Sequence, residues 1–157
     1  MSACPADALQ PIRPGNLGDI TDVHALNERL LPEAWSLKAL ADAVEMGSEL
    51  YVWRTAAGML AAYYLGQDIA DETHLLQLVV DRPFQRQGLA LALCRKLIDD
   101  KRQNGVQRIF LEMREGNHAA LGLYERLGFD IAGRRAAYYA AQHEHPREGA
   151  LLLTLRL

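Results

Sequence analysis

The chain has 157 residues, half of them hydrophobic and 24 % charged, a balance that suits one globular domain with its own core. The net charge is −3, which excludes the strongly basic class of nucleic-acid binders. No apolar run approaches the ~18 residues of a transmembrane helix, so no membrane partner is expected.

Met1 to Gln10 carry neither a basic n-region nor a long apolar h-region, so a secretory signal is not expected and a cytoplasmic location is. Residues 1–8 read as a flexible tail, and 1–157 as a single domain. Cys4 and Cys94 are the only cysteines, with no zinc spacing, so neither a disulfide nor a metal is expected. Charge is uneven along the chain. Residues 1–80 hold eleven acids and four Lys/Arg, a balance of −7; residues 81–157 hold nine acids and thirteen Lys/Arg, a balance of +4. An acidic half suits a cationic substrate and a basic half suits an anionic cofactor, or the charges are merely scattered.

A short strand is predicted around Leu9–Arg13. Asn16, with Asp19 three residues later, signals a capped helix whose Ile20, Val23, Asn27 and Leu30 share one face. Ser36 caps a second helix, with Leu37, Leu40, Ala41 and Val44 at helical spacing. Glu49–Thr55 and Met59–Gln67 flank an Ala-Ala-Gly hairpin turn, and Glu72–Val80 is a third strand. A helix then runs from Leu89 through Leu93, Leu97 and Ile98 and ends before Gly105. Arg108–Met113 is a strand. Asn117 caps the last helix, which carries Ala120, Leu123, Tyr124 and Leu127 and closes on Gly128-Phe129 as a Schellman motif. Strands near Asp130–Ala137 and Ala150–Leu157 complete the order β-α-α-β-β-β-α-β-α-β-β. That order is an α/β (α+β) chain with a mixed, mostly antiparallel sheet and helices on both faces.

Three places carry chemistry. The first is Gln85-Arg86-Gln87-Gly88-Leu89-Ala90, directly after an apolar strand and opening a helix. A helix start offers unpaired N–H groups and partial positive charge, small residues let a phosphate approach, and Arg86 adds a cation, so the loop suits a pyrophosphate. The motif has neither the Gly-Lys-Ser/Thr of a P-loop nor the glycines of a dinucleotide fold. Alternatively the glycine only reverses the chain. The second is Glu112: strand alternation puts it on one face with Phe110, and a carboxylate there needs a salt bridge, an open groove or a chemical role. The third is Asn117-His-Ala-Ala-Leu-Gly-Leu-Tyr124-Glu-Arg-Leu-Gly-Phe129. Asn117 there is a helix cap or a cofactor contact, and Tyr124 is a core residue or a proton donor.

In this order and spacing the three resemble the GNAT N-acetyltransferases, from about residue 10 to 157 and most densely from Leu75 to Phe129. Within the family, Gln-Arg-Gln-Gly-Leu, the Leu-Glu-Met-Arg strand, and Arg134-Arg135 followed by Tyr138-Tyr139 look most like the ribosomal-protein-alanine N-acetyltransferases. The resemblance implies acetyl-CoA as cosubstrate, no metal, and a ribosomal protein N-terminus as acceptor. It implies Glu112 as base, Tyr124 as acid, and cofactor contacts from Leu78, Val79, Val80, Arg86, Gln87, Gly88, Leu89, Ala90, Leu91 and Asn117. Ala90 stands where the family usually has a second glycine. Leu31-Pro-Glu-Ala-Trp35 matches the subfamily's His-Pro-Trp only loosely, and the segment through His143-Glu-His145 departs from it. Both segments would border the acceptor.

The reaction so implied is direct acyl transfer to an amine in a ternary complex, with no nucleophilic residue invoked. Glu112 accepts the amine proton directly or through a water, and Tyr124 donates to the departing thiolate. The Val80 N–H meets the developing oxyanion, provided the strand beyond it leaves that group unpaired. Other readings are an acetyltransferase of another protein N-terminus or of a small amine, a non-catalytic CoA-binding sensor, and a plain interaction domain.

Overall fold

A computed structural model describes residues 8–140 and 147–157. The expectations for Cys4 and for His143 and His145 lie outside the described residues. The strands are β1 (Arg13–Pro14), β2 (Glu49–Arg54), β3 (Leu60–Ile69), β4 (Glu72–Val80), β5 (Arg108–Arg114), β6 (Asp130–Tyr139) and β7 (Glu148–Arg156). The helices are α1 (Ile20–Leu30), α2 (Leu37–Glu45), α3 (Leu89–Gln103) and α4 (His118–Arg126). The chain order is the one expected. Two short 3-10 turns, Leu17–Asp19 and Arg82–Phe84, were not foreseen.

Hydrogen-bonded neighbours follow the order β1-β2-β3-β4-β5-β7-β6 in one mixed sheet. β1 with β2, β2 with β3, β5 with β7 and β6 with β7 are antiparallel, and β4 with β5 is parallel. The parallel ladder pairs Glu72–Leu75 with Arg108–Leu111.

The described chain divides into two compact units. One comprises residues up to Gln67 together with Gln77–Leu93, and the other Asp68–Leu76 together with residues from Cys94 onward. The first unit is built on a cluster of Ile20, Val23, Leu26, Leu40, Tyr63 and Val79 with neighbouring β2 and β3 side chains. Its entry is set locally. The Asn16 side chain accepts from Gly18 N–H while the Asp19 carboxylate accepts from Asn16 N–H, a reciprocal capping box. Asp19 is also buried between Arg13 and Arg54, at 2.8 Å from each. Burial opposes its ionisation, but the hydrogen bonds from Arg13, Arg54 and the Asn16 N–H outweigh it and hold its carboxyl near 2. On α2, Leu40 is buried but Leu37, expected on the same face, is 45 % exposed, because it occupies the first helical position beside the Ser36 cap.

In the second unit, Ile109, Leu111 and Met113 of β5 are buried as alternation required, with Leu97 and Ile98 of α3 and Leu153 and Leu155 of β7. Lys101 is 2 % exposed, a costly position for an ammonium. Its Nζ lies 2.6 Å from Asp68 Oδ2, and Thr73 Oγ1 donates to the other oxygen of that carboxylate. α4 closes as expected. Phe129 N–H donates to Tyr124 O and Gly128 N–H to Glu125 O, with Gly128 at φ +94°, a Schellman motif that only a left-handed residue allows.

Candidate active site

The first unit carries the loop after β4. Asp81 caps the 3-10 turn by accepting from Arg82 N–H, and Phe84 is buried. Two side-chain amides then pin the loop: Gln85 Nε2 donates to Val80 O at 2.9 Å and Gln87 Nε2 to Pro83 O at 3.0 Å. Arg86 and Gly88 are both left-handed, at φ +59° and +86°. Left-handed residues alternating in this way curve the chain so that successive N–H groups converge, as in backbone anion nests. Gly88 O accepts from Ala92 N–H, which opens α3. The first-turn N–H groups of a helix have no intrahelical partner, so those at Leu89, Ala90 and Leu91 extend the same row. A Cβ placed on Gly88 would meet nothing within 4 Å. The space beside this backbone is therefore open, and the glycine is required by its φ rather than by crowding. Arg86 is exposed. The donor row, the open space and the cation fit a pyrophosphate.

Leu78 and Val80 are half-buried, whereas Val79 is 4 % exposed and its side chain belongs to the first unit's core. Leu89 is likewise buried at 3 %. Any role for Val79 and Leu89 toward a cofactor is therefore confined to their backbone. Asp81 N–H donates to Ala61 O of β3. Successive N–H groups of an extended strand point to opposite edges, so the Val80 N–H points away from β3.

The second unit carries Glu112, Asn117 and Tyr124. Glu112 stands on β5 opposite Leu152 of β7. Its side chain is 36 % exposed, and it pairs with Arg135 of β6, Nη2 to Oε1 3.7 Å. It is thus neither buried nor locked, because a pair this long and exposed is weak. Tyr139 sits close enough for the Glu112 charge to act on it. Burial, then that charge, holds its hydroxyl above the ordinary tyrosine range. Arg114 lies over the Tyr139 ring at 4.3 Å and pairs with Glu148 at 3.1 Å, and Arg134 pairs with Glu115. Asn117 caps α4 by accepting from Ala120 N–H at 3.1 Å. Tyr124 is 7 % exposed, and its ring meets Phe129 edge-on at 5.5 Å. Burial, reinforced by Cys94, pushes its phenol well above the ordinary value, and burial alone pushes the Cys94 thiol up to about 12. Tyr124 therefore keeps its proton, the state a general acid needs, and Cys94 is an inert packing residue.

The sequence model of the acetyltransferase (GNAT) family matches residues 20–129. The chain belongs to the GNAT acetyltransferase family. It is 36 % identical over 138 residues, covering 87 % of this chain and 90 % of the relative, to the [ribosomal protein bS18]-alanine N-acetyltransferase of Escherichia coli K12. It is 35 % identical over 143 residues to the protein of that name from Salmonella typhimurium, covering 85 % of this chain and 95 % of the relative. The crystal structure of the Escherichia coli ribosomal-protein-S18-alanine N-acetyltransferase superposes with a TM-score of 0.86 at 34 % identity, covering 93 % of this chain and 92 % of that one. The fold and the acetyl-CoA-dependent N-acetyltransferase class read from the sequence therefore stand. Among the described residues, no helix is long and apolar enough to cross a membrane.

Sequence reasoning did not name several contacts that the structure shows within each unit. Arg135 was read only as part of a motif, and nothing in it singled out Glu112 as its partner. The Arg29–Asp81 pair and the Asn27–Gln77 contact were not anticipated, since each spans about fifty residues. The one available signal was Gln77, a lone amide inside the apolar run Leu75–Val80.

Proposed function

We propose that this GNAT acetyltransferase moves the acetyl group of acetyl-CoA onto the α-amine of an N-terminal alanine of a ribosomal protein, working as a single domain in the cytoplasm. The observation that carries the acceptor is the name shared by relatives 35–36 % identical over most of both chains. The acidic balance of residues 1–80, −7, supports it, because ribosomal protein tails are basic.

The chemistry to be catalysed is attack of an amine on a thioester carbonyl, with loss of a thiol. The backbone row from Arg86 to Leu91 would hold the pyrophosphate, with Asn117 as a further contact. An α-amine, of pKa about 7.7–8.0, is already partly neutral near pH 7. Glu112, open to solvent and loosely held by Arg135, is in a state to take the remaining proton directly or through a water. Tyr124, as the acid, meets the developing thiolate as a hydrogen-bond donor; the thiol's pKa of about 8.5 lies below the ordinary tyrosine value of about 10, so the phenol stays protonated. The Val80 N–H faces the charge that develops on the acetyl oxygen. Tyr138 and Tyr139 would wall the extended acceptor chain.

The amine type follows from the same numbers. A lysine ε-amine, at about 10.4, is almost wholly protonated at pH 7, so one exposed carboxylate favours the α-amine. The test is intact mass spectrometry with acetyl-CoA and three acceptors: an Ala-starting basic peptide, the same peptide N-terminally blocked with an internal lysine, and spermidine. The expected product is the first peptide plus one acetyl group. Preference for the blocked peptide or spermidine, or absence of transfer to all three, overturns the acceptor.

A further inference from the structure

Helix α1 grips β4 and the residue that follows it. Asn27 Nδ2 donates to Gln77 Oε1 at 2.8 Å, and Arg29 donates from both Nη atoms to the two oxygens of Asp81 at 3.1 and 3.2 Å. Between these points lie only Leu78, Val79 and Val80. We propose that this clamp is a positioning device: Asn27 with Gln77, and Arg29 with Asp81, hold the Val80 N–H in place for the acetyl oxygen. It rests on the reading of Val80 as that donor.

The orientation of the inner grip is determined by chemistry. The Trp35 backbone N–H, which can only donate, is 2.8 Å from Asn27 Oδ1, so Oδ1 accepts and Nδ2 donates. Gln77 must then present Oε1 to Asn27, and Tyr63 OH donates to the same oxygen at 2.9 Å. Asn27 and Tyr63 are 0 % exposed and Gln77 6 %. The outer grip is equally constrained. Asp81 Oδ1 accepts from Arg82 N–H, Asp81 N–H donates to Ala61 O, and the Asp81 side chain is 8 % exposed.

Apolar contact, as at Val79, resists separation of helix and strand but not sliding along the strand axis. Hydrogen bonds are directional, and in a buried setting they are costly to break, so they fix that coordinate. An oxyanion donor needs this, since it must lie within about 2.7–3.1 Å of where the charge forms. The inner grip is not the arrangement that stability alone favours. Gln77 Nε2 is buried without a hydrogen-bond partner among the described residues, whereas a leucine or methionine would leave no such group. A local cost retained beside a reacting backbone is what a functional constraint leaves.

The test compares Asn27→Leu, Asn27→Asp and Arg29→Met with the wild-type chain. The readouts are kcat and KM with acetyl-CoA and the accepted peptide, CoA affinity by calorimetry, and hydrogen exchange of the peptide spanning the end of β4. Loss of either grip is expected to lower kcat about 10–100-fold, the scale of a misplacement near 1 Å. KM for acetyl-CoA and affinity for CoA should stay within about threefold, because the contact is made only in the transition state. Exchange at the end of β4 should quicken. Asn27→Asp should retain most of kcat: its carboxylate accepts from the Trp35 N–H and from a Gln77 amide turned to present Nε2. Wild-type kcat in both Asn27→Leu and Arg29→Met overturns the clamp. So does a fall in kcat matched by lost CoA affinity, or an Asn27→Asp variant as impaired as Asn27→Leu. If Asn27→Leu does not fold, Arg29→Met, at a half-exposed arginine, decides. If the wild-type chain transfers no acetyl group, the parent reading fails, and unchanged exchange in the variants then overturns the clamp separately.

Discussion

Replacing Tyr124 by phenylalanine removes one oxygen and leaves everything that packs. The ring, 7 % exposed and edge-on to Phe129, is retained, so the fold should lose no more than about 1 kcal/mol. The cost falls on the departing thiolate, which loses its hydrogen-bond donor. General acids contribute on the order of 10²–10⁴ in rate, or roughly 3–5 kcal/mol of barrier. The pH behaviour is specific. Burial first, and Cys94 second, raise the Tyr124 pKa above its ordinary 10, so the hydroxyl stays protonated as pH rises through the working range. The ratio of wild-type to variant kcat should therefore be constant between about pH 6 and 9. The assay is thiol release at saturating acetyl-CoA and peptide, with a thermal melt to certify folding and calorimetry to show unchanged CoA affinity. A folded Tyr124→Phe protein within about threefold of wild-type kcat would refute the role. A ratio that collapses before about pH 9 would show that the hydroxyl had already ionised and that the burial argument fails.

Three further outcomes are expected. Glu112→Gln should lower kcat by about 10²–10⁴ with CoA affinity unchanged, and near-wild-type turnover would remove Glu112 as the base. Gly88→Ala should bind CoA but melt earlier, with roughly 1–2 kcal/mol of strain at φ +86°, whereas Gly88→Glu should not bind at all, because its carboxylate meets the pyrophosphate. Equal calorimetric affinity for folded Gly88→Glu would move the phosphate site elsewhere. Asp19, held near 2 against an ordinary 3.8, adds stability that is fully present above about pH 4 and lost as pH falls toward 2, roughly 2.5 kcal/mol in all. Urea unfolding of Asp19→Asn should show an acid slope shallower by that amount, and identical slopes in both proteins would discount the Arg13–Asp19–Arg54 cluster.

Signals that act within a few residues were legible without coordinates. Asn16 with Asp19, Ser36, Asn117, and Gly128 with Phe129 mark helix ends because each satisfies backbone groups one to five positions away. The alternation Ile109, Leu111, Met113 placed Glu112 on the other face of β5, because side chains of a strand have a period of two. The same local chemistry placed a row of N–H donors at the start of α3, and its combination with Glu112 and Tyr124 at family spacing reached the acetyltransferase class.

Only the tertiary structure decided what each of these groups feels. That Glu112 meets Arg135, that Tyr124 loses its water, and that Val79 turns its side chain into the core are results of packing between segments far apart in the chain. The α1 clamp is the clearest case. Asn27 to Gln77 and Arg29 to Asp81 span 50 and 52 residues, and nothing near Asn27 in the sequence announces its partner. Helix propensity and strand alternation say which way a side chain points from its own element. Which hydrogen bond it makes depends on where another element arrives, and that is set by the burial of apolar surface across the whole fold.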